Sequence, residues 1–487
     1  MSINPITLVD VYKFGHRRQY PDGTTRVYSN FTPRSSRVLG QNEVVFFGLQ
    51  YFLQRYLIDD VREDFFGLEK EYVLDKYQQR TESVLGKNNV GTDHIEALHD
   101  LGYFPLEFRA LPEGTLCPLR VPMLTVENTH DDFFWLPNYI ETLMSATLWM
   151  PCTSATTAYR LRTLLNQACE KTGGDPNFVQ WQGHDFSMRG MAGLEAACLS
   201  GAGHLLSFSG TDTVPAIDFI ETYYRNAEPG LIGASVPATE HSVMSAGGED
   251  DEIGTFERLL ALYPQGIVSI VSDTWDLWAV LTKILPALKD RIKARYGKVV
   301  IRPDSGNPAD ILCGDPKAKP FDPARFGVIQ LLWEVFGGTT NSNGFKVLDP
   351  HIGAIYGDSI AYERAQEITQ RLAANGFAST NIVFGVGSFS YQYATRDTYG
   401  FAMKATWARV NGEGRDLFKN PKTDDGVKKS ARGRLSVVKD WNGKLAVNEQ
   451  VTPTQEAMSL LQPVWRDGAF IRRQSFNEVR KTLWGNA

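Results

Sequence analysis

The segment IRPDSGNP (301–308) holds the sharpest chemical signal in the chain. A short apolar run ends in Arg302, a proline fixes the turn, and Asp304 and Ser305 project from it. Arginine offers planar paired donors to an anion or a carbonyl oxygen. A carboxylate two residues on suits ribose hydroxyls or a metal, unless the pair simply closes the loop as an ion pair. VSDTWD (271–276) places Asp273 and Asp276 three apart at a helix start. Asp273 either caps that helix, or the two carboxylates hold Mg²⁺ through water beside a substrate phosphate. In SGTDT (209–213), Thr211 or Asp212 caps the next helix, or Asp212 accepts hydrogen bonds from a ligand amide.

PATEHSVM (237–244) contains His241 behind Glu240. Such a pair serves acid–base or nucleophilic chemistry when the carboxylate orients the imidazole; the bland alternative is a structural histidine. There is no HExxH or similar spacing, so a zinc enzyme is not expected. QGHDFSMRG (182–190) sets Phe186 and Arg189 on one face of a helical turn, suited to a flat ligand carrying phosphate, or else to a core ring and a surface cation. GDS (357–359) and GVGS (385–388) let backbone N–H groups approach an oxyanion at a helix start, although glycine also serves ordinary turns. DVYKFGH (10–16) holds Asp10 and Tyr12 two apart. Basic residues recur at Arg34, Arg37, Arg396, Lys404, Lys419, Lys428, Lys429 and Arg432, either as solvated faces or as a grip on a polyanion.

Most of these groups need a strand to hold them. Apolar runs precede them at Leu205–Phe208, Ile267–Val271, Val299–Ile301, Ile352–Tyr356 and Ile382–Phe384. Helical stretches follow at Pro215–Arg225, Trp275–Leu288 and Ser359–Ala374. Short apolar strands alternating with helices predict a parallel sheet covered on both faces. A doubly wound sheet competes with a (β/α) barrel. Polar residues at the carboxyl ends of at least five successive strands favour the barrel, where such ends build the active site. Residues 151–395 are therefore assigned to an irregular (β/α) barrel of class α/β. Residues 1–150, with Arg26–Phe31 and Leu119–Val126 as strands, join 396–487 as a second, discontinuous α+β domain. Gly400–Val410 alternates like an antiparallel strand.

The chain has 487 residues, 43% hydrophobic and 22% charged, with a formal charge of −6. That composition excludes a disordered chain and a generally basic nucleic-acid binder. Five scattered cysteines without a CxxC pair, no apolar leader and no membrane-length apolar run predict a cytoplasmic globular protein.

DVYKFGH, QGHDFSMRG, FSGTDT, SVPATEHS, VSDTWD, IRPDSGNP, YGDS and GRLS follow one another from residue 10 to 436. In this order they resemble the nicotinamide phosphoribosyltransferase family. The resemblance implies an irregular α/β barrel, a domain built from both termini, and a homodimer with active sites at the subunit interface. It implies transfer of a phosphoribosyl group from 5-phosphoribosyl 1-diphosphate to nicotinamide, giving the mononucleotide and diphosphate in NAD salvage. ATP hydrolysis is coupled to this in the family through a phosphohistidine, and Mg²⁺ is required, carried by the substrate phosphates. Carried over, Phe186 and Tyr12 of the partner subunit sandwich the pyridine ring, and Asp10 joins that site. Asp212 accepts from the carboxamide NH₂, Arg302 donates to its carbonyl, and Asp304 binds the ribose. Arg189, Gly357, Asp358, Gly387 and Ser388 face phosphate and ribose, with Arg396. His241 is the phosphorylated residue, supported by Glu240; Ser272 and Asp276 line the same pocket. Arg34, Lys404, Lys419 and Arg432 grip diphosphate or ATP, as Arg396 does. The chain departs from the family pattern at Met188, often aromatic, at GVGSF, often richer in glycine, and at Arg432, commonly lysine. A nicotinate-using relative is the nearest alternative, and Asp212 argues against it, because a carboxylate repels an acid and accepts from an amide. A non-catalytic binding protein and a barrel glycosidase or aldolase are further alternatives.

Overall fold

Six parallel strands carry the candidate residues at their carboxyl ends. They are β1 (Gly183–Asp185), β2 (Gly210–Thr211), β3 (Gln265–Val271), β4 (Tyr296–Arg302), β5 (Ile352–Tyr356) and β6 (Ile382–Val386). The computed structural model describes residues 4–225, 227, 230–357, 359–419 and 431–485. Asp358, Lys428 and Lys429 lie outside the described residues. The sheet order is β2-β1-β6-β5-β4-β3, and every neighbouring pair is parallel.

The two edge strands do not pair with each other. The extended segment 234–239 stands between them, with Ala234 bridged to Gly210 and Ala238 bridged to Ser269. Thr211 N donates to Ala234 O and Thr239 N donates to Ser269 O. These bridges close the sheet into an irregular barrel and decide against the open, doubly wound sheet. Val268, Ile270, Val299, Ile301, Ala354 and Phe384 are buried from the strands, packed with Leu281, Leu332 and Ile368 of the covering helices. This is the packing expected of an α/β layer.

One expected strand is a helix end. Leu205–Phe208 falls where helix Leu194–Leu205 stops and two turns follow, with Leu206 N on Gly203 O and Phe208 N on His204 O. A four-residue apolar run cannot separate a buried strand from a buried helix end. The strand is the shorter Gly210–Thr211, and Gly183–Asp185, too short and polar to signal itself, is also a strand.

By contacts the described chain divides into two compact units, 1–153 with 219–228 and 394–487, and 154–218 with 229–393. The barrel lies in the second. The first holds a seven-stranded antiparallel sheet in which Thr24–Thr32 pairs with Ala402–Val410 on one side and Leu124–Asn128 on the other. Its own core gathers Phe31, Phe52, Leu106, Met123 and Trp465. No described helix is long and apolar enough to cross a membrane.

Candidate active site

Asp212 follows β2 at the barrel mouth. His184 Nε2 lies 2.8 Å from its Oδ1, and Ser235 Oγ donates to the same oxygen. Burial pushes this carboxyl up. The hydrogen bonds from His184 and Ser235 and the charges of His184 and Arg302 outweigh burial and hold it below the usual carboxylate range. Phe186 follows β1, its ring 4.6 Å from that of His184 and 5.4 Å from the Arg302 guanidinium. Arg302 ends β4; its Nη2 lies 3.4 Å from Asp304 Oδ2, and its buried Nε has no hydrogen-bond partner. Phe186, Arg189, Asp212, Arg302, Asp304 and Gly357 line one cavity of about 540 Å³. An aromatic face, an ionised acceptor and a planar donor thus converge on a space sized for a small ring and its attachments.

Asp273 and Asp276 exchange the roles their spacing suggested. Asp276 is the helix cap, its Oδ1 accepting from Trp278 N at 2.9 Å and Ala279 N at 3.1 Å. Asp273 instead braces the neighbouring strand end. Its Oδ2 accepts from Asp304 N and Ser305 N, each at 2.7 Å, and from Ser305 Oγ at 2.6 Å. The other oxygen of Asp273 and Asp304 Oδ2 lie 3.9 Å and 3.8 Å from His241 Nε2. His241 is half exposed and its Nδ1 lies 3.1 Å from Thr274 Oγ1. Glu240 does not orient this ring, because its carboxylate accepts from Ser242 Oγ. Ser272 does not face the cavity either; it is fully buried and its hydroxyl donates to Ile270 O.

The glycines of the mouth are there for close approach. A Cβ on Gly357 would fall 1.7 Å from Asp304 Oδ1, and one on Gly190 would fall 2.0 Å from Ser388 Oγ. The second contact brings the Arg189 turn against the loop of Gly387 and Ser388, where a short helix begins at Ser388.

The remaining residues belong to the other unit. Asp10 Oδ2 accepts from Thr142 Oγ1 at 2.8 Å, and the exposed Tyr12 ring lies 5.3 Å from Lys13 Nζ. Arg34 Nε donates to Gly400 O, and burial and the charge of Arg396 hold its guanidinium below its usual range. Desolvation lowers the Lys404 ammonium; Glu141 opposes this, and Arg34, Lys13 and Arg396 add to it. Arg396 also pairs with Asp397 at 3.0 Å. Arg432 is engaged with Asp416 at 3.4 Å and with the Phe418 ring. Lys419 is exposed.

A model of the nicotinate phosphoribosyltransferase (NAPRTase) family matches residues 181–469, and one of the nicotinamide phosphoribosyltransferase N-terminal domain matches 4–90. The chain is 52% identical to a nicotinamide phosphoribosyltransferase of Acinetobacter baylyi, over 99% of this chain and 97% of that one. The chain belongs to the nicotinamide phosphoribosyltransferase family. It is an enzyme of the pentosyltransferase class. Among solved structures, a nicotinate-nucleotide pyrophosphorylase of Pyrococcus furiosus shares the fold at TM-score 0.60 and 14% identity, covering 99% of this chain and 95% of that one. The human nicotinic acid phosphoribosyltransferase does so at TM-score 0.53 and 17% identity, covering 97% and 92%. Within this family member, Ser235, Thr274 and the bracing role of Asp273 went unread in the sequence. Ser235 stands in SVPATEHS and Thr274 in VSDTWD, so the motifs flagged the segments but not the partners.

Proposed function

We propose that the chain joins nicotinamide to 5-phosphoribosyl 1-diphosphate, releasing nicotinamide mononucleotide and diphosphate, as a cytoplasmic homodimer in NAD salvage. The carrying observation is Asp212, held ionised beside Phe186 and Arg302 in one cavity. An ionised carboxylate accepts from the amide NH₂ and repels a nicotinate carboxylate. Arg302 donates to the amide oxygen, and Phe186 stacks on the ring. Tyr12 of the partner subunit covers the opposite face, with Asp10 nearby.

The pyridine nitrogen attacks the anomeric carbon as the bond to diphosphate breaks, through an oxocarbenium-like state. Such a step asks for charge placement rather than covalent help. Asp304 holds the ribose; Arg189 and the Gly357 and Gly387–Ser388 loops hold the 5-phosphate. Arg34, Arg396 and Lys404 receive the diphosphate, and an anion there offsets the burial, and the lesser repulsion from neighbouring cations, that lowers Arg34 and Lys404. Lys419 and Arg432 are the further cations assigned to diphosphate or ATP. Buried Oδ1 atoms of Asp273 and Asp304 have no hydrogen-bond partner. This donor set fits Mg²⁺ held through water and substrate phosphate, whereas no cluster of three ligating side chains occurs among the described residues. When bound, Mg²⁺ neutralises charge on the diphosphate.

ATP is the co-substrate, and His241 takes its γ-phosphoryl group with release of ADP. Nε2 of His241 faces the carboxylates of Asp273 and Asp304 at 3.9 Å and 3.8 Å, and its Nδ1 lies against Thr274. Hydrolysis of the phosphohistidine releases phosphate. The test is Asp212→Asn. The reading expects the ratio of kcat/KM for nicotinamide over nicotinate to fall at least about tenfold; an unchanged ratio overturns it.

A further inference from the structure

The short helix Ser388–Tyr391 and the residue after it turn three successive side chains to three different neighbours. Ser390 Oγ donates to Ile360 O at 2.7 Å, in the stretch that follows Gly357. Gln392 Oε1 accepts from Ala192 N at 2.8 Å, just past the Arg189 turn. Between them Tyr391, 1% exposed, belongs to the barrel core, and its hydroxyl lies 2.6 Å from His204 Nδ1. The other ring nitrogen, His204 Nε2, lies 3.1 Å from Gly210 O. Gly210 stands in β2, two residues before Asp212. One buried path thus runs from the Ser388 loop to the strand that carries Asp212.

The direction of both hydrogen bonds follows from the groups involved. A carbonyl oxygen only accepts, so Nε2 carries the proton. Burial pushes the imidazole down to about 4; the Asp185 carboxylate opposes this and His184 adds to it. The ring is therefore neutral near pH 7, Nδ1 keeps its lone pair, and the Tyr391 hydroxyl is the donor. Phe208 stacks on the same imidazole, with ring centroids 5.0 Å apart. The Gln392 tie is exposed and the Ser390 tie half-buried, so water can replace a lost partner in either. The Tyr391 tie is buried, and nothing replaces it. The two ends of this path differ in support. Gly210–Thr211 pairs with β1 and is bridged to Ala234, whereas the Ser388 helix is a single turn.

We infer that Tyr391, held by His204, is a positioning residue for the phosphoribosyl substrate, fixing the Ser388 loop at a set distance from Asp212. This rests on the transferase reading, in which that loop holds the 5-phosphate and Asp212 the carboxamide. Loss of the hydroxyl frees the weakly supported end, so the phosphate grip suffers and the carboxamide grip does not.

Initial rates of mononucleotide formation by the parent, Tyr391→Phe and Tyr224→Phe, with each substrate varied in turn, test the inference. Tyr224 is the control, a buried tyrosine of the other unit whose hydroxyl donates to Glu113 at 2.9 Å. Tyr391→Phe raises the KM for 5-phosphoribosyl 1-diphosphate about tenfold, the worth of one hydrogen bond, and leaves the KM for nicotinamide within about threefold. Tyr224→Phe lowers Tm but leaves both KM values within about threefold. An unchanged KM for 5-phosphoribosyl 1-diphosphate in Tyr391→Phe overturns the inference and leaves the transferase reading standing. So does an equal rise in both KM values, or the same rise in Tyr224→Phe. No product from the parent overturns the transferase reading, and the inference with it.

Discussion

Gly357→Ala is the smallest change that moves the proposed ribose ligand. The new Cβ would lie 1.7 Å from Asp304 Oδ1, 2.9 Å from its Cγ and 3.2 Å from Arg302 Nε. An ordinary contact of about 3.4 Å therefore drives the carboxylate oxygen back by about 1.7 Å. That retreat gives up the 3.4 Å approach to Arg302 and the 3.8 Å approach to His241. A misplacement of about 1 Å near the reacting atoms costs on the order of 100-fold in rate. We therefore expect kcat/KM for 5-phosphoribosyl 1-diphosphate to fall about 100-fold, equivalent to about 2.7 kcal/mol of transition-state stabilisation. The short Asp304 side chain can turn toward solvent, so the overpacking cost stays near 1 kcal/mol, and Tm falls by no more than about 4 °C. Initial rates of mononucleotide formation at varied diphosphate substrate, with a thermal melt of the same sample, supply both numbers. A kcat/KM within threefold of the parent refutes the placement of Asp304 at the ribose.

Phe186→Ala removes the proposed stacking face, and the KM for nicotinamide rises about 10- to 100-fold; steady-state rates that leave this KM unchanged contradict the stack. His241→Ala abolishes stimulation by ATP and leaves slow mononucleotide synthesis; full ATP-stimulated turnover of the variant would sink the phosphohistidine role. Glu113 is buried, and burial pushes its carboxyl up to about 6 against hydrogen bonds from Gln50 N, Gly48 N and Tyr224. The folded chain binds this proton more tightly than the unfolded chain, so the contribution is present below pH ~4.5 and is lost as pH rises through ~6, about 2 kcal/mol in all. Glu113→Gln lacks this loss, so urea unfolding finds it gaining about 2 kcal/mol on the parent between pH 4.5 and 7; a difference that stays constant with pH contradicts it.

The sequence made part of the barrel mouth legible because Arg302 and Gly357 each follow an apolar run directly, with Asp304 two residues on, whereas Phe186 and Asp212 follow short polar strands and stood out only by motif. Position after a strand is a local property, and local spacing records it. Which strand ends brace one another is not local. Asp273 reaches Asp304 across 31 residues, and Ser235 reaches Asp212 across 23. Spacing alone therefore leaves Asp273 open between a helix cap and a metal-holding carboxylate, and the cap is Asp276. Glu240 stood beside His241 in sequence, yet the imidazole turned to Thr274, because adjacent side chains on a helix start point apart. Leu205–Phe208 misled for a different reason, since a buried helix end and a buried strand are equally apolar. The closing segment 234–239 carried no strand pattern at all; single bridges, not a ladder, hold it.

The most direct measurement is mononucleotide formation by the purified protein from 5-phosphoribosyl 1-diphosphate, with nicotinamide and nicotinate compared at equal concentration in the presence of ATP and Mg²⁺. The ionised Asp212 predicts rapid product from nicotinamide and little from nicotinate. Equal or greater turnover of nicotinate, or no product from either, would contradict the account.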